Sequence, residues 1–515
     1  MTERLTADLA AFFAECVYPA EAEFAADGGT RSITSPVLTR VRDEARRRGL
    51  WNLFSSLHPA RLAVSDPETA DLAEIVGRSP VIGQVALHSL NPDAAVLELL
   101  AALGSAEQAS AWLDALADGT ISSAYCMTEP GVASSDPRSL RTRGERAADG
   151  TVRVTGVKSW CTGAEARNCE ILVVLALTEP DARPAGRYSL VLVRCDGPGV
   201  ALTNRHDVLG YSDAYRGGHP DIVFTDARGE LLGQAGGGLA AAQRILGPAR
   251  MLHSMRLVGT AERALELMTG RLRSREVRGR SLADNDLWID RVGGARIAVE
   301  SMRALVRAMA SQPGLATAES IAKAAVPAQA ADILDLAMQA HGADGLSAPG
   351  ILADLYAHAR SLRISDGPDE VHRRVVGRYE LALAQFSLPF MVATALLRGR
   401  LSAAELDAGW RANPALASLL PKVTVVVDDA DLTPDMIPEP GRVEVVLADG
   451  RRRTAEATRT PGHPDHPLDD AALHAKFRSC ARRLGPRGTE ALLEALTRLD
   501  EVEDMRQVAR LTVPV

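Results

Sequence analysis

The sequence predicts a multidomain α+β protein in which two helical regions flank a β region and a small α/β unit follows. Three observations support this fold class. The chain has 515 residues, a length that allows roughly three or four compact units. Its composition, with 46% hydrophobic and 24% charged residues, is typical of a globular protein. The spacing of its apolar residues changes from helical to alternating and back again along the chain.

The first helical region covers residues 1–118 and the second covers residues 237–388. In the first, Ser105 followed by Glu107-Gln108 is a candidate helix N-cap. In the second, apolar residues from Met251 to Met268 recur at spacings of three and four, so they lie along one helix face. Further helices are predicted at Asp286–Ala310, at Ala318–His341 and from Ile351 to about Arg363.

The β region covers residues 119–236, where stretches such as Val152–Val157 alternate and short apolar runs lie between turn residues. Because no amphipathic helix of about ten residues or more interrupts it, the strands are expected to be antiparallel. The last unit, residues 412–515, has a strand-like stretch at Arg442–Leu447 and a hairpin turn at Asp449-Gly450.

Charge and patterning exclude several classes of partner. The chain has a formal net charge of −8 with scattered basic residues, so we expect no nucleic-acid partner. The N-terminus has no signal pattern and charges interrupt the apolar stretches before ~18 residues, so we expect no membrane span and a cytoplasmic location. The six cysteines show neither a C-x-x-C pair nor metal-ligand spacing, so we expect free thiols and no metal.

Two stretches contain residues suited to chemistry. In Tyr125–Asp136 and Gly156–Gly163, hydroxyl and backbone N–H groups can bind a pyrophosphate or a heterocycle, and Trp160 can pack on a planar ring. In Arg363–Arg373, the Asp366-Gly367-Pro368 turn follows a helix and leaves a carboxylate free to act as a base. From composition alone, an ordinary turn is the stronger interpretation of both stretches.

Over about residues 1–385 the sequence resembles the acyl-CoA dehydrogenase family, because five motifs occur in the family's order. The motifs are Thr128–Asp136, Gly156–Gly163, Arg250, Gln339–Gly345 and Asp366-Gly367. The sequence is most similar to the branch that carries D-G-P-D-E-V-H. The resemblance implies an N-terminal helical domain, an antiparallel β-barrel and a C-terminal four-helix bundle, with FAD between the last two.

The resemblance implies α,β-dehydrogenation of an acyl-CoA thioester. Asp366 would remove the α-proton, the β-hydride would pass to flavin N5, and the Asp366 N–H with a flavin ribityl hydroxyl would bind the thioester oxygen. Most relatives have Glu here, although Asp is usual in this branch. In an apolar pocket the carboxylate is expected to have a raised pKa. Asp369 and Glu370 are alternative acids, better suited to capping or salt bridges.

The same resemblance assigns the FAD contacts and the partners. Near the ring it implies Tyr125, Met127, Thr128, Trp160 and Thr162, with Ser135 by the ribityl or pyrophosphate, and from a neighbouring subunit Arg275, Gln339 and Gly342. Two positions, Arg278 and Ala343, depart from the family pattern, so the remote half of the FAD site is expected to differ. The implied partners are an electron-transfer flavoprotein and further copies of the chain, in a homodimer or homotetramer.

The last unit resembles the C-terminal domain of the MmgE/PrpD family, through Val443–Gly450, Pro461–Pro464 and Lys476–Arg478. That family's large helical domain is missing, so a complete lyase is excluded in this chain. Two other hypotheses remain open: a non-catalytic acyl-CoA or partner-binding scaffold, and the redox half of an assembly with a separate MmgE/PrpD-type lyase subunit.

Overall fold

The computed structural model contains two compact units, Met1–Gly377 and Arg378–Val515. The structure describes residues 2–26, 35–59, 67–312, 317–347, 351–382, 387–406, 410, 413–425, 441–447, 449–457, 461–463, 466–481, 484–502 and 504–513. All of the predicted site residues lie in described ranges of the first unit.

The first unit begins with helices that pack around an apolar core. Helix α1 (Thr2–Phe12) continues through a π-helical turn at Phe13–Val17 into α2 (Tyr18–Ala26). The next helices are α3 (Pro36–Arg47), α4 (Pro67–Gly77), α5 (Ile82–Ala86), α6 (Asp93–Leu103), α7 (Ala106–Gln108) and α8 (Asp114–Ala117). Ser105 caps α7 in a capping box with Gln108, which confirms the predicted helix start.

A seven-stranded, barrel-like sheet follows. Its strands are β1 (Ser122–Cys126), β2 (Arg143–Arg146), β3 (Thr151–Lys158), β4 (Cys169–Leu177), β5 (Tyr188–Arg194), β6 (Val200–Arg205) and β7 (Pro220–Leu232). The hydrogen-bonded order is β1-β4-β2-β3-β7-β5, and β6 pairs with β7. Because β4 also pairs with β5, the path from β4 through β2, β3, β7 and β5 returns to β4.

The expectation of purely antiparallel strands was wrong for two pairs. Strand β1 runs parallel to β4 from Ser122 opposite Cys169 to Cys126 opposite Val174, and β2 makes a short parallel pairing with β4. Parallel neighbours need a long connection, which is usually a helix. Here the hairpin of β2 and β3 lies within the connection from β1 to β4 and supplies that length, so no helix is required.

A second group of helices shares one apolar core. Its members are α9 (Gly238–Ser274), α10 (Asp286–Ala310), α11 (Ala318–His341) and α12 (Ile351–Ser361). Helix α13 (Asp369–Ala382) follows them along the chain. The hairpin of β8 (Glu276–Val277) and β9 (Arg280–Ser281) joins α9 to α10. The predicted apolar face of α9 is buried in that core, with Met255 and Met268 only 1% and 0% exposed.

Helices α4 and α9 approach so closely that their backbones touch. A Cβ atom on Gly77 would lie 1.7 Å from the Arg256 carbonyl oxygen, and one on Gly259 would lie 1.8 Å from the Glu74 carbonyl oxygen. The Thr260 hydroxyl also donates to the Gly77 carbonyl over 2.7 Å. Only glycine permits this contact, which fixes α9 against the N-terminal helices.

The second unit combines helices with one hairpin. It contains α14 (Leu388–Arg398), α15 (Pro414–Leu419), β10 (Gly441–Val446), β11 (Arg452–Ala457), α16 (Asp470–Cys480), α17 (Gly485–Thr497) and α18 (Met505–Leu511). Strands β10 and β11 pair antiparallel on either side of Asp449-Gly450, which confirms the predicted hairpin. In neither unit do the described residues include a helix with the length and apolar character needed to cross a membrane.

Replacing Gly259 by Ala should destabilise the first unit, because the added methyl group has no room beside the α4 backbone. We expect the free energy of unfolding to fall by about 1–3 kcal/mol. Gly270 is the matched control, since it lies on the same helix with no atom within 4 Å of its would-be Cβ. Gly270→Ala should raise stability by about 0.5–1 kcal/mol. Denaturant unfolding of both variants checks this, and equal effects would contradict it.

Candidate functional site

The segments that follow strands β1 and β3 lie side by side at one edge of the sheet. The backbone N–H of Ser159 donates to the Thr128 carbonyl oxygen over 2.9 Å. The Lys158 ammonium donates to the Met127 carbonyl oxygen over 3.0 Å. These two contacts bring the predicted ring-binding residues before and after them, Tyr125 to Thr128 and Trp160 to Thr162, to the same place.

A buried ion pair holds this edge together. Lys158 Nζ lies 2.8 Å from Glu129 Oε1, and the two side chains are 0% and 4% exposed. Glu129 also accepts the backbone N–H groups of Arg141 and Thr142, over 2.6 and 2.9 Å. Burial raises the pKa of Glu129, but the charge of Lys158 and these hydrogen bonds outweigh it and hold the pKa below its ordinary value. Neither side chain was predicted to have this role.

Trp160 presents its indole ring at the same edge in a strained backbone conformation. Its φ is +56°, and its side chain is 43% exposed although it is large and apolar. His206 stacks on the ring with centroids 4.6 Å apart, and His206 Nε2 is in turn 2.7 Å from Asp221 Oδ1. A positive φ costs a bulky residue roughly 1–3 kcal/mol. The surrounding contacts therefore hold an aromatic face toward solvent.

Two further predicted residues place hydroxyl groups near this edge. The Thr162 hydroxyl is 2.8 Å from His219 Nδ1, whose other ring nitrogen is 3.1 Å from Asp213 Oδ2. The Tyr125 hydroxyl is buried and has no hydrogen-bond partner among the described residues. Burial, and after it the charges of Cys126 and Asp366, raise the pKa of Tyr125, so its proton is available to an acceptor.

Asp366 lies in the turn between α12 and α13, also with a left-handed backbone. Its φ is +57°, and Gly367 follows with a φ of +105°. A Cβ atom on Gly367 would lie 2.9 Å from His372 Nε2, so this position requires glycine both for its dihedral angle and for its neighbour. Gly367 is therefore a structural requirement of the turn.

Three side chains from three helices hold the Asp366 turn by its carbonyl groups. Arg250 of α9 donates to the Asp366 carbonyl oxygen over 2.9 Å, and His372 of α13 contacts the same oxygen over 3.2 Å. Lys323 of α11 is fully buried and donates to the carbonyl oxygens of Leu362 and, over 3.3 Å, Gly367. The strained turn is therefore fixed from three directions.

The Asp366 carboxylate is largely enclosed, with its side chain 23% exposed, and Oδ2 lies 3.3 Å from His253 Nε2. Burial raises the pKa of Asp366. Hydrogen bonding and charge from His253, followed by the charges of Lys323 and Arg250, lower the pKa more, and the result is below its ordinary value. The expectation of a raised pKa was wrong, because these groups come from helices distant in sequence.

His253 is a site residue that the sequence analysis missed. It lies one helical turn after Arg250 on α9, is 8% exposed, and has Asn91 Nδ2 3.5 Å from its Nε2. Its Nδ1 is buried without a hydrogen-bond partner among the described residues. The spacing R-x-x-H on one helix face was the available signal, because residues three apart project to the same side.

Asn91 also lines a cavity of about 50 Å³ within the first unit. The cavity is lined as well by Trp51, His88, Asp93, Ser123 and Arg216. Burial raises the pKa of Asp93 to about 6, although the Ser123 hydroxyl and N–H both donate to it. The sequence did not predict this cavity, because its walls come from separate segments of the chain.

The remaining predicted residues lie elsewhere. Ser135 is exposed on the loop after β1, and Arg275, Gln339 and Gly342 are exposed beyond the far end of α9. Because a helix rises 1.5 Å per residue, Arg275 lies about 37 Å along α9 from Arg250. Within one chain Arg275 is therefore far from Arg250 and from the Asp366 turn that Arg250 contacts.

The structure shows the surroundings of the alternative acids and of one altered motif position, Arg278. Arg363 Nε lies 2.8 Å from Asp369 Oδ2, so Asp369 is paired, and Glu370 is exposed. Arg278 and Gly279 both have positive φ in the two-residue turn between β8 and β9, a turn that needs this conformation. In the part of the chain that the structure describes, no three His, Cys, Asp or Glu side chains are grouped to hold a metal ion.

Three family models match the chain. Residues 124–227 match the acyl-CoA dehydrogenase middle domain, and residues 236–381 match the acyl-CoA dehydrogenase C-terminal domain. Residues 354–501 match the MmgE/PrpD C-terminal domain, so the last two matches overlap.

Curated relatives have the same affiliation. FadE2 of Mycobacterium tuberculosis, described as a probable acyl-CoA dehydrogenase, is 40% identical over 387 residues, which cover 73% of this chain and 94% of FadE2. Acyl-CoA dehydrogenase family member 11 of Gallus gallus is 37% identical over 72% of this chain. That relative is longer, and the match spans 49% of its length.

Solved structures are similar over the same part of the chain. An acyl-CoA dehydrogenase structure from Mycobacterium abscessus matches with a TM-score of 0.70 and 36% identity, covering 74% of this chain and 98% of that one. A glutaryl-CoA dehydrogenase of Mycobacterium smegmatis in complex with FADH2 shares the fold at a TM-score of 0.61 and 19% identity, over 75% of this chain and 96% of that one. The chain belongs to the acyl-CoA dehydrogenase family, a family of FAD-dependent oxidoreductases.

Proposed function

We propose that this chain catalyses FAD-dependent α,β-dehydrogenation of an acyl-CoA thioester, with Asp366 as the base. The observation that carries the proposal is an enclosed carboxylate on a turn held by Arg250, Lys323 and His372. Enclosed carboxylates with specific charged partners are typical of functional sites. A chain of contacts connects the carboxylate with the ring-binding edge of the sheet: His253 contacts Asp366, Asn91 Nδ2 lies 3.5 Å from His253 Nε2, and the adjacent Pro92 lies against Gly163, which follows Thr162.

The residues at this edge fit an FAD cofactor. A flat indole is exposed at Trp160, an unpaired hydroxyl is buried at Tyr125, and Thr128 is exposed beside them. An aromatic face and a hydrogen-bond donor are suited to a planar heterocycle with polar edges. Met127 and Thr162 complete the proposed ring contacts, and Ser135 is proposed for the ribityl or pyrophosphate group. When bound, FAD would accept the β-hydride at N5.

The chain's own residues would do the proton chemistry. The α-C–H of a thioester is a weak acid, and a base with a lowered pKa takes its proton less readily. The developing charge on the thioester oxygen must therefore be stabilised by the site, and we assign this to the Asp366 backbone N–H together with a flavin hydroxyl. The contacts of Arg250 and His372 with the Asp366 carbonyl oxygen would hold in place the turn that carries this N–H.

The remote FAD contacts are proposed to come from a second copy of the chain. Arg275 is exposed about 37 Å along α9 from Arg250. Gln339 and Gly342 are exposed at the same end of α9, where Arg271 contacts His341 and Asp344, so we assign all three contacts to a neighbouring subunit in a homodimer or homotetramer. We also propose that helices α9 to α12 form the family's four-helix bundle and that an electron-transfer flavoprotein accepts the electrons. Residues 412–515, with their MmgE/PrpD likeness, are proposed to serve interaction, assembly or substrate handling rather than lyase chemistry.

Asp366→Asn should abolish most flavin reduction by acyl-CoA, because the amide cannot accept the α-proton. We expect a loss of about 10²–10⁴-fold in the reduction rate under anaerobic conditions, with FAD content unchanged. Glu370→Gln is the matched control, since Glu370 is exposed in the same motif and should keep the wild-type rate. Reduction of the Asp366→Asn variant at the native rate, or wild-type protein that stays colourless after FAD reconstitution, would contradict the proposal.

Tyr125→Phe should weaken FAD retention without destabilising the flavin-free protein, because no described residue bonds the buried hydroxyl that the cofactor would use. Loss of one hydrogen bond of about 0.5–1.5 kcal/mol predicts roughly a two- to thirteenfold higher Kd for FAD. Tyr188→Phe is the contrasting variant, since Tyr188 donates to the carbonyl oxygens of Arg138 and Leu140. It should lower stability and leave FAD affinity unchanged. Flavin titration and thermal unfolding separate the two patterns, and an unchanged Kd for Tyr125→Phe counts against the assignment.

A further inference from the structure

The Asp366 carboxylate has one side-chain neighbour within ion-pair distance among the described residues, and that neighbour is His253. His253 Nε2 lies 3.3 Å from Oδ2 and approaches from α9, the helix that also carries Arg250. Arg250 binds the carbonyl oxygen of Asp366, whereas His253 contacts its carboxylate. One helix therefore contacts both the backbone and the side chain of the proposed base.

We propose that His253 is the positioning residue of Asp366, holding its carboxylate through Nε2–H and keeping it ionised for proton abstraction. The inference rests on the proposed function, because it gives His253 a task in that reaction. A positioning residue is needed because aspartate is one methylene, on the order of 1.5 Å, shorter than glutamate. A displacement of about 1 Å can cost a factor of 10² in rate.

The protonation of His253 follows from its surroundings. An ionised carboxylate 3.3 Å from a bare ring nitrogen would be repelled by its lone pair, so Nε2 carries a proton toward Asp366, and the more distant Asn91 Nδ2, at 3.5 Å, does not donate to it. Burial lowers the pKa of His253 below its ordinary value, despite the opposing effect of Asp366, so the second nitrogen carries none. Nδ1 then remains a buried acceptor without a partner among the described residues. At neutral pH His253 is therefore a neutral donor to Asp366 and not a second base. It gains a positive charge only in more acidic solution, where that charge lowers the pKa of Asp366.

Other charged and titratable groups face this pair from every element packed around it. They are Arg250 and Arg256 on α9, Lys323 on α11, His358 on α12, His372 on α13 and Tyr125 on β1. Arg250 and Lys323 lower the pKa of Asp366 in the same direction as His253 does. Removing His253 should therefore raise the pKa of the base only part of the way to that of an isolated buried carboxyl.

A purely structural role would not explain this residue. The imidazole buries a polar nitrogen, Nδ1, that has no hydrogen-bond partner among the described residues. What it adds is a hydrogen-bond donor to Asp366, and that difference can be measured.

The test compares full-length, FAD-loaded wild-type protein with His253→Leu and His253→Gln. Leucine removes the donor, and glutamine restores an N–H near the position of Nε2. Flavin reduction by the straight-chain acyl-CoA that the wild type uses best is measured against pH, because kcat/KM reports the free base. In His253→Leu we expect the acid limb of the pH profile of kcat/KM to move upward by about one pH unit or more. We also expect kcat to fall at least about tenfold, with KM nearly unchanged. His253→Gln should restore the limb to within about half a unit.

A second readout does not depend on activity. In ¹⁵N-histidine-labelled holoenzyme, the His253 resonances are identified by their absence in His253→Gln. Because the Asp366 charge raises the pKa of His253, Asp366→Asn should lower the pH at which those resonances titrate and change the Nε2 shift. A His253 titration that is the same in wild type and Asp366→Asn would overturn the contact.

The outcomes separate this inference from the proposed function. If no acyl-CoA reduces the wild-type flavin, the proposed function fails, and the labelled spectra alone then decide whether His253 holds Asp366. If the wild type is reduced and His253→Leu keeps the same acid limb, or His253→Gln is no better than His253→Leu, the positioning role is wrong. If the leucine variant does not fold, the acid limb of the His253→Gln pH profile and the labelled spectra decide. A His253 titration that Asp366→Asn leaves unchanged overturns the role, and a titration that Asp366→Asn moves to lower pH supports it.

Discussion

The candidate site depends on the left-handed backbone of Asp366. That conformation costs a non-glycine residue roughly 1–3 kcal/mol, and it persists only where the surroundings impose it. Here the surroundings are Arg250, Lys323 and His372, which bind the carbonyl groups of the turn from three helices. Held in this way, the turn directs the Asp366 side chain to one position. An aspartate side chain is short, so it cannot compensate for a displaced backbone.

The two halves of the site are built on the same principle. Lys158 donates from a fully buried position to the Met127 carbonyl at the sheet edge, and Lys323 does the same to the Gly367 carbonyl in the helical region. Each ammonium also has a carboxylate nearby, Glu129 for Lys158 and Asp366 for Lys323. Buried charges of this kind give position more than stability. In addition, the glycine contact between α4 and α9 fixes the position of α9, the helix that carries Arg250 and His253.

Local sequence predicted the features that depend on near neighbours. The bounds of α10 and α11, the Ser105 cap and the hairpin at Asp449-Gly450 follow from periodicity and turn chemistry. The motifs likewise identified Asp366 and Trp160 as candidates. What could not be predicted comes from contacts between distant segments: the parallel pairing of β1 with β4, the cavity beside Asn91, the contact of His253 with the Asp366 carboxylate and the lowered pKa of Asp366. In each case the partner lies on another element or carries no motif of its own.

The burial of Lys323 has a consequence in alkaline solution. Burial lowers its pKa to about 8, whereas an unfolded lysine titrates near 10.4. Between these values the unfolded chain binds more protons, so this residue makes the native state more stable as the pH rises. Over the same interval the amine loses the charge that attracts Asp366, although it can still donate to Leu362 and Gly367. Above pH 8, the contribution of Lys323 to thermal stability should therefore rise while its electrostatic effect on the Asp366 carboxylate weakens. A thermal melt alone would not report whether Lys323 is charged.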